Sequence, residues 1–231
     1  FYDPMIAKLC SWAPTREGAI EGMARALEET HLAGVGHNIP FLSAVMDQAR
    51  FRSGALTTRY IQDEFPDGFH GLVPDRRQTD ILIAAACAMN EIASDQAGDP
   101  SDRTDWIVMI DRTPHPVGLS YDDDEALILD LEGEDRALRL EAIDWRPGLA
   151  QFRAVLDDQP FTAEVKRTAD GWDIRHRAAR ARVRVLTPRH AELYARLPEK
   201  QAADTSKQVL SPMPGLVVSI PVVAGQEVKT G

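Results

Sequence analysis

Residues 79–94 read Thr79-Asp80-Ile81-Leu82-Ile83-Ala84-Ala85-Ala86-Cys87-Ala88-Met89-Asn90-Glu91-Ile92-Ala93-Ser94, and this stretch decides the fold. Every position from 81 to 89 is apolar, and most are no larger than alanine or cysteine. The run is too long for an ordinary strand and rich in helix formers, so it predicts a helix. A helix that is apolar all round must be buried all round, and its small side chains ask for a narrow sleeve.

The sequence downstream supplies one. Residues 97–105 are polar and read as a mobile loop. After them the apolar period changes from helical to two. Strands are expected at 106–110, 115–121, 126–131, 138–145, 150–156, 161–165, 172–176 and 181–186. Turn residues separate them, among them Glu132-Gly133, Asp157-Asp158 and Asp170-Gly171. Phe161, Ala163 and Val165 face one way while Thr162, Glu164 and Lys166 face the other, and Trp172 and Ile174 oppose Asp173 and Arg175. About eight closely spaced strands with one apolar face each form a meander that must bury that face. An antiparallel sheet curled around the apolar helix buries both.

Upstream, residues 1–65 read as mixed α/β. Thr15 is a candidate N-cap. Ile20, Met23, Ala24 and Leu27 then fall at i, i+3, i+4, i+7, the stripe of a helix of about 13 residues, with Gly34 and Gly36 expected to stop it. Further helices are expected at 39–49, with Phe41, Leu42, Val45 and Met46 on one side, and at 57–65. Pro66-Asp67-Gly68 is a turn. Past the strands come a short helix at 189–197, a polar linker at 198–206 and, over 209–231, strand character broken by Pro212, Pro214, Pro221 and Gly225: the start of another small β domain.

Composition removes several function classes. A net charge of −10 and a pI near 5.1 argue against nucleic acid or an anionic membrane surface as partner. No apolar run approaches the roughly 20 residues of a membrane helix, and no secretory signal is visible. Cys10 and Cys87 are the only cysteines and suggest a reducing compartment rather than a disulfide framework. The histidines His31, His37, His70, His115, His176 and His190 show no H-x-x-x-H spacing, and no G-x-S-x-G elbow is present. No catalytic, cofactor-binding or metal-binding residue is assigned.

Three stretches, in order, resemble one family. Tyr2-Asp3-Pro4-Met5-Ile6-Ala7-Lys8-Leu9, followed by Arg16 and Gly34-Val35-Gly36-His37-Asn38-Ile39, resembles the C-terminal lobe of biotin carboxylase domains. Phe65-Pro66-Asp67-Gly68-Phe69 and the helix-plus-strands region are similar to the α subunits of propionyl-CoA carboxylases, within the biotin-dependent acyl-CoA carboxylase family. Asp204-Thr205-Ser206 supports the same member. Ser211-Pro212-Met213-Pro214-Gly215, Val217-Val218 and Gly225-Gln226-Glu227-Val228 resemble the opening of a biotin carboxyl carrier domain.

The resemblance implies an α+β chain. The end of an ATP-grasp biotin carboxylase lobe (1–65) is followed by a subunit-docking antiparallel barrel around a central helix (66–198). A linker and the N-terminal part of the carrier domain (199–231) complete it. It implies a ligase that carboxylates biotin with ATP, magnesium and bicarbonate. A carboxyltransferase β subunit then passes the carboxyl group to propionyl-CoA, giving methylmalonyl-CoA. The ATP site is expected upstream and the biotinyl lysine downstream of these residues, so the piece alone is expected to be inactive and to join α to β subunits in a hetero-oligomer. The compartment implied is the cytoplasm, or the mitochondrial matrix in a eukaryote. A pure assembly module, or a sister methylcrotonyl-CoA or acetyl-CoA carboxylase, is the alternative.

Four residues are candidates for partner binding. Arg182 and Arg184 belong to a basic strand pair with Arg175, Arg177 and Arg180. This is either a solvated barrel wall, with Val183 and Val185 inward, or a contact for an acidic patch on the β subunit. Trp106 and Trp145 stand at strand ends and either cap the barrel or anchor another subunit. Asp3 and Lys8 pair within the lobe or approach the active site. Thr58 and Arg59 lie on a surface helix or near the adenine pocket. Phe65 and Phe69 are expected to dock the linker or a partner, Met213 to plug its own domain, and residues 122–125 to form a solvated acidic turn.

Overall fold

The computed structural model describes residues 5–98 and 103–198, and beyond them Leu216, Ser219, Val222, Val223, Gly225 and Gln226. In chain order the elements are helices α1 (Arg16–Glu29), α2 (Ile39–Asp47), α3 (Ala49–Ser53), α4 (Tyr60–Glu64) and α5 (Arg76–Gln96). Strands β1 (Asp105–Ile110), β2 (Thr113–Tyr121), β3 (Leu127–Leu131), β4 (Arg136–Asp144), β5 (Gln151–Leu156), β6 (Gln159–Arg167), β7 (Trp172–His176) and β8 (Ala179–Leu186) follow. Helix α6 (Pro188–Ala195) comes last. The chain divides into two compact units, Phe1–Arg196 and Leu197–Gly231.

The eight strands pair in sequence order, each antiparallel to the next, and β1 closes on β8 through Ile107 opposite Leu186 and Ile110 opposite Val183. Closure removes both sheet edges, which an open meander would expose to other chains. Helix α5 fills the barrel. Ile81 to Met89 are each at most 2 % exposed, so the all-round apolar run is buried on every side. Val108, Val117, Leu129, Leu138, Leu140, Phe152, Leu156, Ile174 and Val183 point in from the wall to meet it. An eight-stranded barrel is normally just filled by its own side chains. Housing a helix inside one explains why the helix is reduced to alanines at 84–86 and 88.

Helix α5 starts three residues before the expected position. Asp75 and Gln78 form a capping box: the Gln78 amide donates to Asp75 Oδ1 at 2.8 Å, and the Asp75 amide donates to Gln78 Oε1 at 3.0 Å. Inside the mouth, Asp80 accepts two bonds of 2.7 Å from the Arg136 guanidinium on β4. The one buried acid of the helix therefore has a fork-shaped partner.

In the upstream region, Thr15 caps α1 as its sequence suggests, accepting from the Gly18 amide at 3.1 Å. The helix ends at Glu29, before Gly34, because the Thr30 hydroxyl donates back to the Ala26 carbonyl at 2.7 Å and the backbone turns extended. The helix expected over 39–49 breaks at Gln48, which is extended (ψ 131) and accepts the Tyr60 hydroxyl. Phe65 and Phe69 pack edge-on against Phe41 and each other, with ring centroids 5.1–5.9 Å apart, so these rings lock the lobe together.

In the second unit, Gly225 takes a left-handed conformation (φ 90) and the Gln226 amide donates to the Val223 carbonyl at 3.1 Å, a tight turn. The Pro-Met-Pro-Gly stretch at 212–215, with Met213, lies outside the described residues, as does Asp3.

Candidate docking face

The two ends of the barrel differ. Helix α5 enters at the end formed by the turns at 111–112, 132–135, 157–158 and 177–178: Arg76 reaches Glu134, and Arg77 donates to the Leu156 carbonyl at 2.7 Å. These turns are polar. The upstream helices sit on this side as well, with α1 against β6 and Asp47 of α2 bonded to Arg177.

At the opposite end α5 leaves the barrel. Burial, then Glu91 and Asp95 of α5, push the Tyr121 hydroxyl pKa up, which places the last turns of α5 beside the end of β2. Trp106, Trp145 and Trp172 all stand at this end. Trp106 is 9 % and Trp145 7 % exposed. The Trp106 indole donates to the Arg103 carbonyl at 3.2 Å and that of Trp145 to the Leu149 carbonyl at 3.1 Å. Trp145 meets Trp172 edge-on at 5.4 Å, and Arg167 lies over the Trp172 ring at 4.4 Å. Both candidate tryptophans thus turn into the barrel mouth and shape the rim by packing. Gly171 brings β7 close to β8 here; a Cβ at this position would stand 2.3 Å from the Val183 carbonyl oxygen.

What the rim turns outward is a different apolar set. Among the described barrel residues 103–186, the exposed large hydrophobic side chains are Tyr121 (63 %), Ile143 (37 %) and Leu149 (41 %). All three lie at the end where α5 leaves. Ile143 is out of phase with the inward Leu138 and Leu140, so plain alternation already turns it outward; the β4–β5 register shifts beside it, between Glu141 and Asp144, with Ala142 at φ 50. The three were not expected; the detectable signal for Ile143 is an apolar residue out of phase with Leu138 and Leu140.

The basic strand pair is largely neutralised within the chain. Arg175 pairs with Glu164, and Arg177 with Glu28 and Asp47. Arg180 forms a fork on Asp173 at 2.7 and 2.6 Å. Arg184 donates to Asp170 at 2.7 Å, is itself buried, and lies 4.8 Å over the Tyr194 ring. The Arg184 guanidinium holds the Asp170 carboxyl below the usual carboxylate range. Arg182 is exposed; its backbone amide donates to Asp111, and its guanidinium forms no direct ion pair among the described residues, though it stands opposite Asp173 and its charge helps lower the Asp170 pKa. Lys8, Thr58 and Arg59 are exposed, with Arg59 reaching Asp63 one helical turn away. Among the described residues no cluster of His, Cys, Asp or Glu stands where it could hold a metal ion, and no helix is long and apolar enough to cross a membrane.

The model of the propionyl-coenzyme A carboxylase BT domain matches residues 82–200, which span the greater part of the enclosed helix and the whole barrel. The chain belongs to the propionyl-coenzyme A carboxylase BT domain family. Residues 1–63 match the biotin carboxylase C-terminal domain. Over its whole length the chain is 42 % identical to the propionyl-CoA carboxylase alpha chain of Ruegeria pomeroyi, covering 35 % of that protein. It is 29 % identical to the mitochondrial human alpha chain, covering 33 % of it. A 63-residue match, 44 % identical, links 27 % of the chain to 13 % of the 2-oxoglutarate carboxylase small subunit of Hydrogenobacter thermophilus. The chain therefore spans about a third of the length of the curated α chains it matches, and a 63-residue stretch of it is also similar to a second kind of carboxylase.

Proposed function

We propose that this chain is the subunit-docking part of a propionyl-CoA carboxylase α chain, and that the barrel end carrying Tyr121, Ile143 and Leu149 receives the carboxyltransferase β subunit. The observation that carries this is the gathering of the barrel's exposed large apolar side chains at the end away from the entry of α5. An apolar centre ringed by polar groups is the composition of a specific interface. Trp106 and Trp145 support that rim from inside. Arg182 and Arg184 line a neighbouring wall, where Arg182 is the cation facing outward.

In the complete α chain, biotin is carboxylated with ATP, magnesium and bicarbonate, and its carboxyl group goes to propionyl-CoA on the β subunit. Residues 199–231 form the linker and the opening of the biotin carrier domain. The role of these residues in this reading is assembly into a hetero-oligomer of α and β subunits. Its compartment is the cytoplasm, or the mitochondrial matrix in a eukaryotic source.

The test is binding of the β subunit to the complete α chain by isothermal calorimetry. Tyr121→Asp combined with Leu149→Asp should weaken binding at least tenfold, since truncated interface anchors commonly cost about 2 kcal/mol or more. The melting temperature should hold. Unchanged affinity in that folded variant, with loss of binding in Arg182→Glu, would move the interface to the basic wall.

A further inference from the structure

Strand β6 overruns its neighbour where the upstream helices meet the barrel. Its pairing with β7 runs only from Glu164 to Arg167, because β7 stops at His176 and the chain turns through Arg177 at φ 53. The Val165 amide points toward β5, to the Ala150 carbonyl. By alternation the Thr162 amide points the other way, where no strand remains. Glu28, in the last turn of α1, takes the missing strand's place. Its Oε1 accepts the Thr162 amide at 2.6 Å and lies 3.5 Å from His176 Nε2, while Oε2 accepts Arg177 Nε at 3.1 Å. The other arm of Arg177 donates to Asp47 Oδ1, at the end of α2, at 2.8 Å. The Gln151 side chain donates to the Glu29 carbonyl at 2.7 Å.

Glu28 has only 8 % of its side chain exposed. A buried carboxylate is tolerated only where its lone pairs are met, and an unpaired backbone amide needs an acceptor. One helix placement satisfies Glu28, Thr162, Arg177 and Asp47 together; a shift of an ångström or two leaves several of them unsatisfied. Apolar surfaces slide more freely, because hydrophobic attraction is non-directional.

We propose that Glu28 and Arg177 are positioning residues that fix the barrel's orientation on the carboxylase-type lobe, and with it the geometry over which carried biotin passes between the two active sites. The second clause rests on the function proposed above; the joint itself does not.

The experiment uses the complete α chain with its β subunit and the variants Glu28→Ala, Glu28→Gln and Arg177→Met. Amide hydrogen exchange at Thr162 should quicken at least tenfold in Glu28→Ala, stay slow at Val165, and be restored in Glu28→Gln, which keeps an acceptor. ATP-dependent carboxylation of free biotin should stay within twofold of wild type in Glu28→Ala and Arg177→Met. Overall carboxylation of acyl-CoA should fall about tenfold in kcat, with KM for acyl-CoA unchanged. An unchanged Thr162 exchange rate overturns the joint. A released Thr162 amide with full overall kcat, or both reactions falling together, overturns the positioning role. If the wild-type α chain does not bind the β subunit, the docking reading fails, while the exchange measurement still decides the joint.

Discussion

Leucine in place of Ala85 would put three more carbons into the centre of the enclosed helix. Ala85 is fully buried, as are Leu82, Ala84 and Ala86 beside it. The sign of the effect discriminates between two packings. If the sleeve had slack, the added carbons would bury apolar surface at about 0.8 kcal/mol per methylene and stabilise the fold by roughly 2 kcal/mol. If the wall is closed against the helix, overpacking costs about 1–3 kcal/mol. Helix propensity barely separates Ala from Leu. The closed barrel predicts the loss, which for a chain of this size is a fall of about 2–12 °C in Tm. Calorimetry on Ala85→Leu measures it. Ala137→Leu, on the outward face of β4, should leave Tm within a degree or two, and Leu82→Ala should lower it through a cavity costing about 2–5 kcal/mol. An Ala85→Leu protein that melts at or above the wild-type temperature would refute the reasoning, since it would show room around a helix argued to have none.

Three further outcomes are expected. Arg136→Met strands the buried Asp80 carboxylate and should cost about 3 kcal/mol or more by urea denaturation, much of it recovered in the Arg136→Met, Asp80→Leu double variant. Cys87 is buried inside the barrel and burial raises its thiol pKa, while Cys10 is exposed; a thiol reagent at pH 8 should therefore label one cysteine natively and both in urea. Asp170 is depressed below its ordinary 3.8 by Arg184, so its contribution is present above that pH and lost as pH falls through the depressed value. Asp170→Asn should lower Tm at pH 6 and flatten the acid-side fall below about pH 3.8.

The barrel was legible because its two signals constrain each other. An apolar-all-round run from Ile81 to Met89 cannot exist without a sleeve, and eight alternating strands cannot exist without a filling. The boundaries were less legible where side chains override the pattern. The capping box of Asp75 and Gln78 lies outside the apolar run and extends α5 upstream. The tie between Gln48 and Tyr60 joins residues 12 apart and divides what an unbroken stripe presents as one helix. Phe65 and Phe69 looked available to a partner because their contact with Phe41 is tertiary. The apolar rim was missed because Tyr121, in phase with the buried Val117 and Leu119, is exposed where β2 ends, and Leu149 lies in a loop; the phase of Ile143 against Leu138 and Leu140 was readable.

Charge shows the same limit more sharply, and it bears on where a partner is recognised. Arg175, Arg177, Arg180, Arg182 and Arg184 make a basic band in sequence, and a band of that density suggests attraction to acidic surfaces. Folding brings carboxylates to it from far along the chain: Glu28 lies 149 residues before Arg177, and Asp47 lies 130 before it. Strand order anticipates Glu164 opposite Arg175, whereas the β7–β8 register sets Asp173 opposite Arg182 and its carboxylate bonds the diagonal Arg180 instead. Once these pairs form, an incoming acidic partner would have to compete for guanidiniums that already hold well-placed acceptors, Arg182 excepted. A single exposed cation is worth about 1 kcal/mol or less to an ion pair, whereas burying Tyr121, Ile143 and Leu149 would remove large apolar side chains from water with no prior partner to displace. In the proposed docking, the stronger recognition therefore falls to the rim, and the basic wall steers the approach.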